Sequence, residues 1–507
     1  MSKIGKLFTT VKTAKPKTNT FDLTHDVKMS GKMGNLTPVM NIECVPGDKF
    51  NIGADSLIRF APLIAPVMHR MDVSIHYFFV PNRITWDGWE DYITNTQQLP
   101  LPQIQVDGSF TDAENKFIDY MGVPPYASAG GAQSVNVNAL PFAAYQAIYN
   151  EYYRDENLVP EVDYQLQDGI NPHSDLCTMR KRAWEHDYFT SSLPFAQKGE
   201  AVDIPLGDVE LKDQWADYGR PNMKDPAGND VFGNIAGAGT IPATIETGAN
   251  PETAYDPQGT LQTTPTTINE LRRAFRLQEW LEKNARGGTR YIEQILAHFG
   301  VRSSDKRLQR PEYITGVKTP ITVSEVLNTT GEDGGLPQGN MAGHAVSVGQ
   351  GNMGTYSVEE HGYIIGILSV TPKTAYQQGI PKNYLKTDPL DFFWPTFANI
   401  GEQEVKNNEI FGYTPQGDDV FGYIPRYAEY KYMPSRVAGD FRTTLDYWHL
   451  GRIFTNLPTL SQEFIEIDPE DVTRIFAVEN DDDNLYMHIL HKVQARRPMP
   501  VYGTPMI

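Results

Sequence analysis

Between Met68 and Phe79 the chain reads MHRMDVSIHYFF. Met71, Val73, Ile75, Tyr77 and Phe79 fall at alternate positions, with Arg70, Asp72, Ser74 and His76 between them. A period of two held over that length predicts a half-buried β-strand, because successive side chains on a pleated backbone point to opposite faces. Residues 36–45, LTPVMNIECV, form a second candidate, ended by the turn Pro46-Gly47-Asp48. Residues 361–372, HGYIIGILSVTP, read as a continuously apolar central strand. Near the C-terminus, RIFAV (474–478), the acidic turn ENDDDN and LYMHILHKVQARR predict a hairpin. Strand signals therefore stand at both ends and in the middle, which predicts one non-local sheet domain instead of successive small ones.

Helical patterns lie between the strands. Thr267 and Glu270 make a capping box ahead of Leu271, Ala274, Phe275, Leu277 and Leu281. TRYIEQILAHFG follows, with Gly300 as its C-cap, and 139–155 is a third helix with Pro141 in its first turn. From 200 to 267 the character changes to a Gly-, Thr-, Ala- and Pro-rich stretch with no period, expected to project from the core. The 42 Gly and 36 Pro favour β-structure with elaborated loops, and the 11% aromatic content places large flat side chains in the buried area.

A net charge of −19 argues against a free nucleic-acid-binding domain. The charge is unevenly spread, however. Lys3, Lys6, Lys12, Lys15 and Lys17 occupy the first twenty residues without one acid, a flexible arm suited to phosphate or simply to solubility. Arg180-Lys181-Arg182, Arg272-Arg273 with Arg276, and Lys306-Arg307 with Arg310 interleave with Trp184 and Phe275. Such clusters take bases and phosphates together, or serve as solvated faces and ion pairs. Two cysteines, Cys44 and Cys177, suggest assembly under reducing conditions. The N-terminus lacks the apolar run of a secretory signal, and YIIGILSV is too short to cross a bilayer, so a soluble protein made in the cytoplasm is expected.

Catalytic signals are weak. Gly349-Gln-Gly351-Asn-Met-Gly354 has the spacing of a dinucleotide fingerprint, but a strand pattern follows where a helix N-terminus is required. His488 and His491 stand three apart on a strand and face opposite sides, a poor metal pair. Residues 481–484 resemble the start of a calcium loop without its Gly and bidentate Glu, so a solvated turn is expected there. No serine elbow, HExxH or P-loop occurs. No enzyme, metal or cofactor is expected.

FDLTHDVKMSGKMGNLTPVMNIECVPGDKF, LIRFAPLIAPVMHRMDVSIHYFFVPNRITWDGWEDYIT and the long stretch 361–405 resemble the major capsid protein family of the Microviridae, nearest its gokushovirus branch. DYWHLGRIF, FIEIDPEDVTRIFAV and HKVQARRPMPVYGTPMI match as well. The resemblance implies a mainly β, eight-stranded antiparallel jelly roll with long helical and irregular insertions, spanning 21–507 behind an arm at 1–20. It implies self-assembly into a T=1 shell around circular single-stranded DNA, with a small basic internal DNA-binding protein and a scaffolding protein as partners. It places the chain in the virion, assembled in the host bacterial cytoplasm. Gly199 to Thr266 would be a threefold protrusion meeting a host receptor. Trp86, Trp89, Tyr92, Phe392, Phe393, Trp394 and Phe397 become candidates for subunit contacts, with core packing as the alternative. A carbohydrate-binding jelly roll and an oxidoreductase built on Gly349 are the rival readings.

Overall fold

A computed structural model describes residues 17–126, 133–199, 267–287, 309–329, 339–351, 353–478 and 483–502, with short pieces at 209–263 and residue 297. The chain divides into two compact units, Gln197–Gly288 and the remainder.

The larger unit is a sandwich of two antiparallel sheets. In the first, β1 (Asn19–Asp22) and β2 (His25–Gly31) lie end to end along one side of β20 (Leu485–Arg497). β4 (Lys49–Phe60) takes the other side of β20. Beyond β4 come β15 (Met341–Gln350) and β16 (Gly354–Ser357), and β14 (Thr322–Leu327) closes the edge. The second sheet has the order β13 (Glu312–Pro320), β5 (Met71–Pro81), β17 (Gly362–Pro372) and β3 (Thr37–Cys44). The chain is mainly β and its architecture is the jelly roll, carried by sheets of seven and four strands in place of the eight expected. Part of the excess comes from two positions that are each broken into a pair of strands, β1 with β2 and β15 with β16.

Alternation decides which residues meet between the sheets. Met71, Val73, Ile75, Tyr77 and Phe79 of β5 join Ile364, Leu368 and Val370 of β17 and Met487, Ile489 and Val493 of β20 in one buried cluster. Gly366 sits opposite Tyr77 in the register, and a Cβ there would stand 2.9 Å from the Tyr77 ring. The ring's hydroxyl crosses the sandwich and donates to His491 Nδ1 (2.7 Å). Because a carbonyl only accepts, the 3.0 Å contact of His491 Nε2 with Val39 O fixes the proton on Nε2. Burial of this ring lowers the His491 pKa to about 4, so the tie between the sheets is made by a neutral imidazole.

β5 departs from the half-buried strand predicted for it. It begins at Met71, and Phe78 and Val80 on its second face are as buried as the first. The cause is a further layer outside the four-stranded sheet. That layer contains the helices Asp112–Tyr120 and Leu140–Ile148 and a small sheet of β6 (Gln103–Val106), β7 (Val135–Asn138) and β8 (Ile170–Asn171). Its Ile104, Phe117, Phe142 and Tyr145 pack with Phe78, Val80, Tyr363, Ile365 and Ile367. Every residue of β17 is therefore buried, the composition of a strand covered on both sides. A third cluster gathers Phe189, Tyr376, Phe421, Ile424 and Phe464 around the β18 (Glu402–Lys406) and β19 (Val420–Pro425) pair.

The predicted C-terminal hairpin is corrected. Residues 474–478 form turns with a single bridge from Phe476 to Leu63, and β20 pairs instead with β1, β2 and β4. Asp483 is tied down, not solvated: it pairs with Lys116 and accepts from Ser30 Oγ at 2.5 Å. Asp481 lies outside the described residues. In the smaller unit, Ile268–Gly287 is the expected helix. Glu270 N donates to Thr267 Oγ1 (3.3 Å) and Thr267 N to the Glu270 carboxylate (2.9 Å), the reciprocal capping box. Short pairs join β9 (Val209–Leu211) to β12 (Leu261–Thr263) and β10 (Met223–Lys224) to β11 (Asp230–Val231). The helix expected to end at Gly300 lies outside the described residues.

Candidate assembly surface and cationic residues

At the end of β5, Pro81 leads into a single helical turn, Asn82–Thr85, which delivers Trp86 into the outer layer. Trp86 is 1% exposed, and its Nε1–H donates to Asp168 Oδ1 (2.9 Å). Gly88 lies on the indole, where a Cβ would stand 2.7 Å from the ring. Trp89 and Tyr92 pack on the same cluster at ring distances of 6.5 and 5.4 Å from Trp86. This aromatic corner is chiefly intrachain packing, with only the half-exposed edges of Trp89 and Tyr92 open to a neighbour.

The segment around DFFWPTF is arranged differently. Asp388 caps a short turn, Pro389–Asp391, by accepting from Leu390 N (2.8 Å), and Asp391 accepts from the backbone of Thr387 and Asp388. A second turn, Pro395–Phe397, follows, and Trp394 Nε1 donates to Pro389 O (3.0 Å). Phe392, Phe393 and Trp394 are thereby fixed with 52%, 50% and 52% of their surface exposed, while Phe397 is half-buried. Beneath them Lys386 and Glu429 form an ion pair of 2.9 Å whose side chains are only 5% and 10% exposed. The Lys386 ammonium stands 4.0 Å over the Tyr430 ring and 5.5 Å from that of Phe392. Burial works to lower the Lys386 pKa, and its hydrogen bonds to Tyr430 and Glu429 outweigh that effect and raise it. Three exposed aromatics thus stand on a charged and buried support. Lys386, Glu429, Tyr427 and Tyr430 carry no local signal that singles them out, because their relation to DFFWPTF exists only after folding.

Among the described residues, five of the eight basic candidates already have partners within the chain. Arg180 donates to Gln146 Oε1 (2.7 Å) and lies over the Tyr149 ring. Lys181 pairs with Asp468 (2.7 Å), and Arg182 covers Tyr153 at 4.7 Å. Arg276 pairs with Glu279 (2.5 Å) and Arg310 with Glu151 (3.2 Å), whereas Arg272 and Arg273 are exposed on their helix. Lys17 is exposed beside β1, and Lys3, Lys6, Lys12, Lys15, Lys306 and Arg307 lie outside the described residues.

The remaining motifs have structural explanations. The Gly349 fingerprint joins β15 to β16, both paired with β4, so a strand stands where a dinucleotide needs a helix. Gly351 N donates to Ala54 O (2.8 Å), and a Cβ at Gly351 would lie 2.7 Å from that same oxygen. His491 is buried, while His488 on the opposite face pairs with Asp26 (3.4 Å). Cys44 and Cys177 are both buried and free, and burial raises each thiol, Cys177 to about 12. Among the described residues no helix is long and apolar enough to cross a membrane.

The sequence is similar to those of known proteins. The family described as capsid protein (F protein) matches residues 9–507. Capsid protein VP1 of Bdellovibrio phage phiMH2K is 36% identical over 514 aligned residues, covering 96% of this chain and 94% of that one. VP1 of Chlamydia phage 1 is 34% identical, covering 98% and 97%, and VP1 of Spiroplasma virus 4 is 30% identical, covering 95% and 94%. These matches displace both rival readings, the sugar binder and the oxidoreductase. The chain belongs to the phage capsid protein (F protein) family, a major structural protein of the virion and not an enzyme.

Proposed function

We propose that this subunit closes into a T=1 icosahedral shell around circular single-stranded DNA, and that the Phe392-Phe393-Trp394 platform is one of the contacts through which copies meet. The observation that carries the reading is the half-exposed state of three large aromatics in a segment whose backbone is capped and whose base is an ion pair. Lone folding gives no reason to hold such groups in water, whereas burial against a neighbour stabilises each of them strongly. Lys3, Lys6, Lys12, Lys15 and Lys17 form an inward arm on the genome, alongside a small basic internal protein. Gly199 to Thr266 projects outward toward a host receptor, and a scaffolding protein holds early intermediates.

Replacing Phe392 and Trp394 by Ser tests the platform. A contact residue of this kind is worth about 2 kcal/mol or more, so each change raises the concentration needed for shells about 30-fold or more. Electron microscopy of subunits that keep their circular dichroism should then show no shells at the parental concentration. Normal shells from both variants would remove the platform from the assembly surface. Deleting residues up to Lys17 should leave shells that package less DNA or disassemble at lower salt.

A further inference from the structure

One motif, DYWHLGRIF, has no part in the surfaces above, yet it forms a wall of a distinct cavity. The cavity has a volume of about 280 Å³, near the lower end of ligand pockets at about 300 Å³. Three chain segments build it and backbone hydrogen bonds stitch them together. Met68 N donates to Trp448 O (2.8 Å), Lys373 N to Arg70 O (2.9 Å) and Tyr376 N to Ser435 O (2.9 Å). Phe441 and Trp448, both half-buried and with ring centres 6.3 Å apart, are the aromatic residues of its lining. His449 is anchored by its Nε2 contact with Phe441 O (2.7 Å), and His69 by its contact with Lys373 O (2.6 Å).

The charge of this cavity runs against the chain's average. Among the described residues no carboxylate lines it, although the protein as a whole carries −19. Lys373 is already balanced by Asp72 and Glu185. Arg70 and Arg436 are exposed, and among the described residues neither guanidinium has a carboxylate partner. Two such guanidiniums beside two aromatic rings suit a ligand that is both anionic and flat. A phosphodiester with an unstacked base meets both demands, whereas an acidic peptide leaves the rings unused.

We infer that this cavity holds one nucleotide of a single strand, its base on Trp448 and Phe441 and its flanking phosphates on Arg70 and Arg436. The assignment rests on the packaged-DNA reading above and adds to it a defined point of attachment.

Fluorescence anisotropy of the full-length subunit with a short labelled oligothymidylate tests it, using three variants. Arg70→Ala with Arg436→Ala should reduce the dependence of log affinity on log salt by about 1.4, from two phosphates at about 0.7 each for a single strand. The double Lys variant should keep most of that dependence. Trp448→Leu should weaken binding by about 5- to 100-fold at fixed salt. Photocrosslinking with a bromodeoxyuridine oligonucleotide should label Trp448 or Phe441. A parent that binds while the double Ala and Leu variants equal it in affinity and salt dependence would overturn the cavity assignment alone. The assignment also falls if the double Ala variant alters only self-association, which would make a second copy the occupant. A parent with no affinity for the oligonucleotide would overturn the packaged-DNA reading along with it.

Discussion

The four-stranded and seven-stranded sheets share one apolar interior, but their outer faces differ. Phe78, Val80, Ile365 and Ile367 look outward from the four-stranded sheet and are buried under helices and a small sheet of the same chain. The corresponding face of the seven-stranded sheet carries Tyr486 and Val348, 50% and 67% exposed, among ion pairs such as Lys492 with Asp55 (2.5 Å) and Lys28 with Asp26 (3.5 Å). The insertions have thus made one sheet a central layer and left the other with the polar, solvated exterior usual for antiparallel strands. Stability should therefore be concentrated around the covered sheet, while the open one is free to meet other molecules.

Matched truncations test that asymmetry directly. Phe78→Ala, in the covered face, should cost an unassembled subunit about 3–5 kcal/mol in urea denaturation. A loss under about 1 kcal/mol would mean that the outer layer contributes little. Acid comes next. His491 is fully buried and its pKa is lowered to about 4 from an ordinary 6.5, mainly by burial, with the nearby His25 acting in the same direction. A depressed histidine leaves the unfolded chain holding the extra proton, so its stabilising effect is whole above about pH 6.5. That effect is lost as pH falls toward about 4, by at most about 3 kcal/mol. His69 and His76, also lowered to about 4 by burial, act in the same sense. Denaturation midpoints across that range should fall, and fall less in His491→Gln. Tyr77→Phe, which leaves the His491 acceptor unpaired, should cost about 1–3 kcal/mol at neutral pH. Smallest of all, Val348→Ala on the open face should change subunit stability by no more than about 0.5 kcal/mol. A larger effect there would show that the open face is covered as well.

Short-range features were legible in the sequence. The strands at 36–45 and 361–372, the capping box at Thr267 and the helix opening on Pro141 all declare themselves within a dozen residues, where period and cap chemistry act. The family motifs made the jelly roll and the capsid role legible too. Pairing was not. The acidic turn before β20 suggested a hairpin because neighbours in sequence usually pair, yet this strand's partners lie several hundred positions earlier. The same limit hid the second face of β5, since alternation reports one buried side and cannot announce a layer supplied by 103–177. Trp86 and Trp394 show it at the candidate surface. Both sit in aromatic-rich segments, and only folding separates the indole sealed over Asp168 from the one left half in water.

The position of β20 has a consequence for biogenesis. It is translated after every other strand of the sandwich, yet it fills the slot between β4 and the β1–β2 pair. While the ribosome still holds that segment, the nascent sheet has a gap with two unpaired edges and an uncovered hydrophobic interior. Closure must wait for β20 to emerge, so the interval before it arrives is when this polypeptide most needs protection from its equally unfinished siblings.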